Sequence, residues 1–117
     1  MNITIQVNVP PYTNEDLDTA MHLADACLKK GHKVSMFLFA DSVLAADKQV
    51  KPMRIDRNIP VKIQELASKG VAINICGLCA EYRGLTQGTN VDGSVFSGVP
   101  EMASLVFTSD RYVSLMP

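Results

Sequence analysis

Ile3, Ile5, Val7 and Val9 alternate with polar residues, the period-two pattern of a strand with one covered face. Pro10 and Pro11 remove backbone donors and end it. Thr13 or Asn14 is the expected cap of a helix with Glu15 and Asp16 in its first turn. Its apolar stripe runs through Leu17, Ala20, Met21, Ala24, Cys27 and Leu28 to a stop at Gly31. Residues 34–40 (VSMFLFA) are almost continuously apolar, as in a strand covered on both faces, and point to a parallel sheet. A short helix over 41–47 follows, then a charged, irregular connection over 48–58 that contains Pro52.

Pro60 suits the first turn of a helix that carries Ile63, Leu66 and Ala67 inward and stops at Gly70. Residues 71–75 form a third strand, which runs straight into the short helix of CGLCAEY, closed by Arg83 and Gly84. The stretch 86–97, rich in Gly, Thr, Asn and Asp, reads as loop. Pro100 opens a last helix with Met102, Ala103, Val106 and Phe107 as its apolar positions, and residues 111–115 form a last strand. Strands and helices therefore alternate, the signature of a layered α/β fold.

Composition narrows the function classes. A chain of 117 residues with 47% hydrophobic content suits a single domain over 1–117 that needs no disulfide or metal staples. A formal net charge of -1 lacks the cationic excess that phosphate backbones require, so nucleic acid is not an expected partner. The first residues show no basic segment followed by a continuous apolar one, as a signal peptide would. No apolar run approaches the roughly 18 residues of a membrane span. Three cysteines, an odd number, suit a reducing compartment, and a cytoplasmic location is expected.

Chemistry concentrates at Cys76. In parallel sheets, ligands gather beyond the carboxyl ends of the strands, and Cys76 falls at such a point. A thiol at the start of a helix feels free N–H groups, and its pKa is expected to fall from about 8.5 to roughly 3.5–7.5, which makes it a nucleophile. Gly77 beside it removes a side chain and allows another group to come close. Cys79 lies one turn on, near the same face. The pair is a redox dithiol, half of a metal site, or one working cysteine beside a packed one. Zinc wants four ligands, and Cys27, His22 and His32 provide no second pair with suitable spacing, so neither a metal nor a cofactor is expected.

Cys27 sits on an apolar stripe and reads as a small hydrophobe, while His22 and His32 read as solvated. Arg83 either supports an anionic sulfur or anchors a partner, or else pairs with Glu81 or caps its helix. Lys48, Lys51, Arg54, Arg57 and Lys62 read as a solvated connection rather than a docking patch.

Several segments in order and spacing resemble the DsrE/DsrF-like (TusD/YchN-like) sulfur-relay family. They are Pro10-Pro11-Tyr12, Gly31-His32, Phe39-Ala40-Asp41-Ser42-Val43, Asn74-Ile75-Cys76 followed by Arg83-Gly84, and Ser109-Asp110-Arg111. The resemblance spans nearly the whole chain. It implies a three-layer α/β/α fold around a five-stranded, mainly parallel sheet, assembled into homo-oligomeric trimers or hexamers. It also implies that Cys76 accepts sulfur as a persulfide from a donor protein and passes it to an acceptor protein. Tyr12, Asp41 and Ser42, at the ends of neighbouring strands, are expected on the same rim. Cys79 departs from the single-cysteine TusD pattern; its attack on a Cys76 persulfide would expel sulfide and leave a disulfide.

Two rival classes stand beside the sulfur carrier. One is a thioredoxin-like dithiol oxidoreductase, although Ile75 rather than an aromatic residue precedes the motif and Pro100 begins a helix. The other is a non-catalytic oligomeric binding module with incidental thiols.

Overall fold

The computed structural model describes residues 1–116. Five strands, β1 (Asn2–Val7), β2 (Lys33–Leu38), β3 (Ala72–Cys76), β4 (Ser94–Ser97) and β5 (Arg111–Leu115), form one sheet in the order β4-β3-β2-β1-β5. Every pairing is parallel, with Ile5 opposite Met36 and Val113, and Cys76 opposite Ser97. Four helices connect them: α1 (Asp16–Lys29), α2 (Ile59–Ser68), α3 (Gly77–Glu81) and α4 (Val99–Thr108). The segments Ala40–Ala46 and Ile55–Arg57 are 3-10 turns.

The order of the strands fixes the layers. From β1 to β4 the chain steps outward in one direction, so right-handed crossovers put α1 and α2 on one face of the sheet. The return from β4 to β5 runs the other way and puts α4 on the opposite face, against β1 and β4. The result is the three-layer α/β/α arrangement.

The two covered faces differ greatly. Ile3, Ile5, Val7, Val34, Met36, Leu38, Ile73 and Ile75 share one side by strand parity. They pack with Leu17, Ala20, Met21 and Ala24 of α1 and with Ile59, Ile63 and Leu66 of α2 in the buried core. On the other side Thr4, Gln6, Asn74 and Tyr112 lie beneath α4, a helix without one fully buried residue. Tyr112 donates its hydroxyl to Gln6 Oε1, and Thr4 and Ser109 share a hydroxyl hydrogen bond.

Three sequence expectations are revised. Residues 94–97 form the edge strand β4 rather than loop; its four residues are few enough for the surrounding Gly, Asp and Thr to mask the alternation. The α1 start takes no cap from Thr13 or Asn14: Glu15 enters the helix without a side-chain cap bond, and Asp16 and Asp18 complement the dipole instead. On α4 the inward residues are Met102 and Leu105, whereas Ala103, Val106 and Phe107 are exposed, Phe107 to 92%. Composition alone did not select the buried side of so apolar a helix.

Gly93 leads into β4 with φ +85, and a Cβ there would meet the Ala67 side chain at 2.9 Å. Gly93→Ala therefore combines a left-handed backbone penalty with a clash against α2, and is expected to destabilise the fold by about 1–3 kcal/mol. Chemical denaturation of the variant beside the parent chain measures this. Gly88→Ala, also at positive φ but with open space around the new Cβ, separates the two contributions.

Candidate functional site

Cys76 is both the last residue of β3 and the N-terminal cap of α3, with extended backbone angles of φ -62 and ψ 113. The strand end is pinned on both sides. Asn74 accepts a hydrogen bond from Ser97 Oγ at 3.0 Å and donates one to the Met36 carbonyl at 3.4 Å, tying β3 to β4 and β2. An Asn inside an otherwise apolar strand is the sequence signal of such a pin; Ser97 carried no signal while its segment read as loop.

The Cys79 N–H donates to Cys76 Sγ at 3.4 Å, closing the first turn of α3 as an N-cap side chain does. Cys76 itself is 4% exposed and belongs to the core, whereas Cys79 is half-buried. Burial pushes the Cys76 thiol above its ordinary pKa, and the neighbouring Cys79 side chain adds to the rise. The backbone N–H groups of Cys79 and Leu78 pull the other way. The lowered pKa expected from the sequence is thus reversed: α3 has only five residues, too few aligned peptides to outweigh desolvation. Gly77 does not open toward a partner; a Cβ there would lie 3.5 Å from the Ser97 carbonyl, in ordinary contact with the end of β4.

Arg83 pairs with neither Glu81 nor the sulfur. Its Nε donates to Asp41 Oδ1 at 2.6 Å and its Nη1 to the Cys79 carbonyl at 2.9 Å, so one guanidinium joins the segment after β2 to the last turn of α3. Asp41 therefore reaches the thiol region through Arg83. It follows Ala40, whose φ of 51 is a left-handed angle unusual for a residue with a side chain. Nothing in the sequence announces that strain.

Tyr12 and Ser42 serve the frame. The Tyr12 hydroxyl accepts the Ile59 N–H at 3.1 Å at the start of α2, and Arg57 lies over its ring at 5.9 Å. Ser42 is fully buried and donates to the Val7 and Phe39 carbonyls, tying the ends of β1 and β2 together. The cations of the 48–62 region are mostly engaged: Lys48 with Asp92, Arg54 with Asp56, Arg57 with Asp18, and Lys62 with the Asp56 carbonyl. Among the described residues no three His, Cys, Asp or Glu side chains gather as a metal ion would need.

Leu78 on α3 and Tyr82 at its C-terminal cap are 61% and 78% exposed. A concavity of about 310 Å³ opens at the opposite end of the strands, lined by Asn2, Lys33, Ala72 and Ser109.

The model of the DsrE/DsrF-like family matches residues 1–115. A protein named sulfurtransferase TusD from Pectobacterium carotovorum is 29% identical over 126 residues, covering 97% of this chain and 98% of that one. An uncharacterized protein of Methanocaldococcus jannaschii is 25% identical over 114 residues, covering 97% and 99%. Among solved structures, the YchN protein of E. coli superposes with a TM-score of 0.90 at 26% identity, covering 98% of this chain and 99% of that one.

The raised Cys76 pKa gives two pH signatures. Alkylation of Cys76, followed by peptide mass analysis, is expected to accelerate with a midpoint above the ordinary thiol value of about 8.5. A folded-state pKa above the unfolded one contributes stability that is present below the unfolded value and lost as pH rises through the folded one. Cys76→Ala should therefore flatten part of the alkaline stability loss. Tyr112, also shifted upward by burial, supplies an alkaline component that the variant leaves in place.

Proposed function

The chain belongs to the DsrE/DsrF-like family, and from that premise we propose that it is a sulfur carrier of a sulfur relay, in which Cys76 takes up one sulfur atom as a persulfide and hands it to a protein acceptor. The observation that carries this reading is the Cys76 sulfur itself, held at the carboxyl end of a parallel strand with a backbone N–H aimed at it from 3.4 Å. The similarity to proteins named sulfurtransferase TusD supports the same chemistry.

Loading and unloading balance without a cofactor. The Cys76 thiolate attacks the outer sulfur of a donor persulfide; a bond to that sulfur forms as its bond to the donor sulfur breaks, and the donor leaves as a thiolate. In the second half an acceptor thiolate attacks the same outer sulfur, and Cys76 leaves. A persulfide is more acidic than its parent thiol, so the loaded form stays anionic where the empty one does not.

Burial suits storage. A thiol of raised pKa is a poor leaving group, which slows loss of the sulfur to stray thiols and favours transfer within a docked complex. The exposed Leu78 and Tyr82 offer the apolar contact that a docking protein would cover. Donor and acceptor proteins, a homo-oligomeric assembly and a cytoplasmic setting belong to the same reading.

Intact mass analysis after exposure to inorganic polysulfide tests the site. In a Cys79→Ser background, where the second thiol is silent, the protein should gain the mass of one sulfur. The Cys76→Ser, Cys79→Ser double variant should gain none. An adduct that survives in the double variant assigns the sulfur elsewhere and sinks the reading; a reversible disulfide formed without sulfur uptake favours a dithiol oxidoreductase.

A further inference from the structure

A persulfide on Cys76 would carry two sulfur atoms in different surroundings. The inner one is Sγ, sealed in the core at 4% exposure beside Ile75 and Ala80. The outer one is the added atom, which must lie beyond it. An external thiol can meet only the atom that projects. Cys79 lies on the same turn as the inner atom: it occupies the third position of α3, half-buried, and its backbone N–H donates to Cys76 Sγ at 3.4 Å. Side chains at the cap and at the third helical position turn toward each other, as they do in a capping box. The remaining cysteine, Cys27, packs against the core from α1.

Building on the persulfide reading above, we propose that Cys79 is a resolving nucleophile that attacks the inner sulfur of a Cys76 persulfide, giving a Cys76–Cys79 disulfide and releasing hydrosulfide. The Cys79 Sγ–Cys76 Sγ bond forms as the bond from Cys76 Sγ to the outer sulfur breaks. The electron pair leaves on the outer sulfur of the anionic persulfide, which takes up the Cys79 thiol proton and departs as HS⁻. The Cys79 sulfur is oxidised from the thiol to the disulfide level, the outer sulfur is reduced to sulfide, and Cys76 Sγ keeps one sulfur–sulfur bond throughout. A dithiol reductant then restores both thiols by exchange.

Geometry and leaving-group chemistry agree. Side chains three apart on a helix have Cβ atoms about 5–6 Å apart, and a disulfide needs about 3.5–4.5 Å. The closure falls on α3, a five-residue segment whose outer residues Leu78 and Glu81 are exposed. Arg83 holds the Cys79 carbonyl, so the Cys79 side chain and the Cys76 end of the turn are the parts that move. Cys76, its thiol pKa raised, leaves less readily than hydrosulfide, so attack on the inner atom ejects the outer one. The same loaded protein thus has two exits: an acceptor thiol takes the outer sulfur, and without one Cys79 discharges it.

The test uses the full-length chain, reduced, kept under argon, exposed briefly to inorganic polysulfide and desalted. Intact mass, alkylation of free thiols and released hydrosulfide are followed together. The wild type should lose two hydrogens, protect Cys76 and Cys79 from alkylation, and release one equivalent of hydrosulfide. Cys79→Ser and, independently, Cys79→Ala should keep the added sulfur with a lifetime at least about tenfold longer, because intramolecular attack is removed. Equal lifetimes in loaded wild type and both variants, or a disulfide without hydrosulfide, overturn the release step and leave the persulfide reading standing. Failure of both Cys79 variants to take up sulfur overturns both.

Discussion

Desolvation of one sulfur atom governs the chemistry of this fold. Cys76 stands where a central strand of a parallel sheet gives way to a helix too short to carry much dipole, and the surrounding hydrocarbon favours the neutral thiol. The two opposing effects arise from the same residue position: the strand end exposes the sulfur to backbone N–H groups, and the core behind it excludes water. The balance falls on the side of burial. A thiol of this kind is less ionised near neutral pH than a free one and reacts correspondingly slowly.

Polar contacts position the elements around that atom. Asn74 ties β3 to its neighbours through Ser97 and the Met36 carbonyl. The Asp41–Arg83 pair, partly exposed and so of modest energetic worth, gains its importance from its direction, because the same guanidinium grips the Cys79 carbonyl. The contacts of Ser42 and Tyr12 do comparable work one layer away, closing the ends of β1, β2 and α2. Residues that the strand-end argument groups on one rim thus divide into those that reach α3 and those that build the frame behind it.

The asymmetry of the two sheet faces follows from topology. Three crossovers in one direction and one in return leave a thick layer of α1 and α2 and a thin layer of α4. Val95, Val106 and Phe107 consequently remain exposed on or near the thin layer. The strand order reverses between β1 and β5, two strands from Cys76, so the thiol does not occupy the crevice where open sheets most often bind small ligands.

The sequence by itself determined the alternation of strands and helices, the inward stripes of α1 and α2, the stops at Gly31 and Gly70 and the position of Cys76 at a strand end. Each depends on periodicity or on backbone restrictions that act within a few residues. Strand β4 escaped because four residues are too short to register against a polar setting, and the stripe of α4 because its apolar residues spread well beyond one face, leaving only the Glu101, Ser104 and Thr108 stripe polar. The sign of the Cys76 shift, the partner of Arg83 and the pairing of Tyr12 with the start of α2 were decided only by tertiary structure. Burial and hydrogen-bond pairing sum over groups distant in sequence, such as Asp41 with Arg83 or Asn74 with Ser97, and no local pattern encodes that sum.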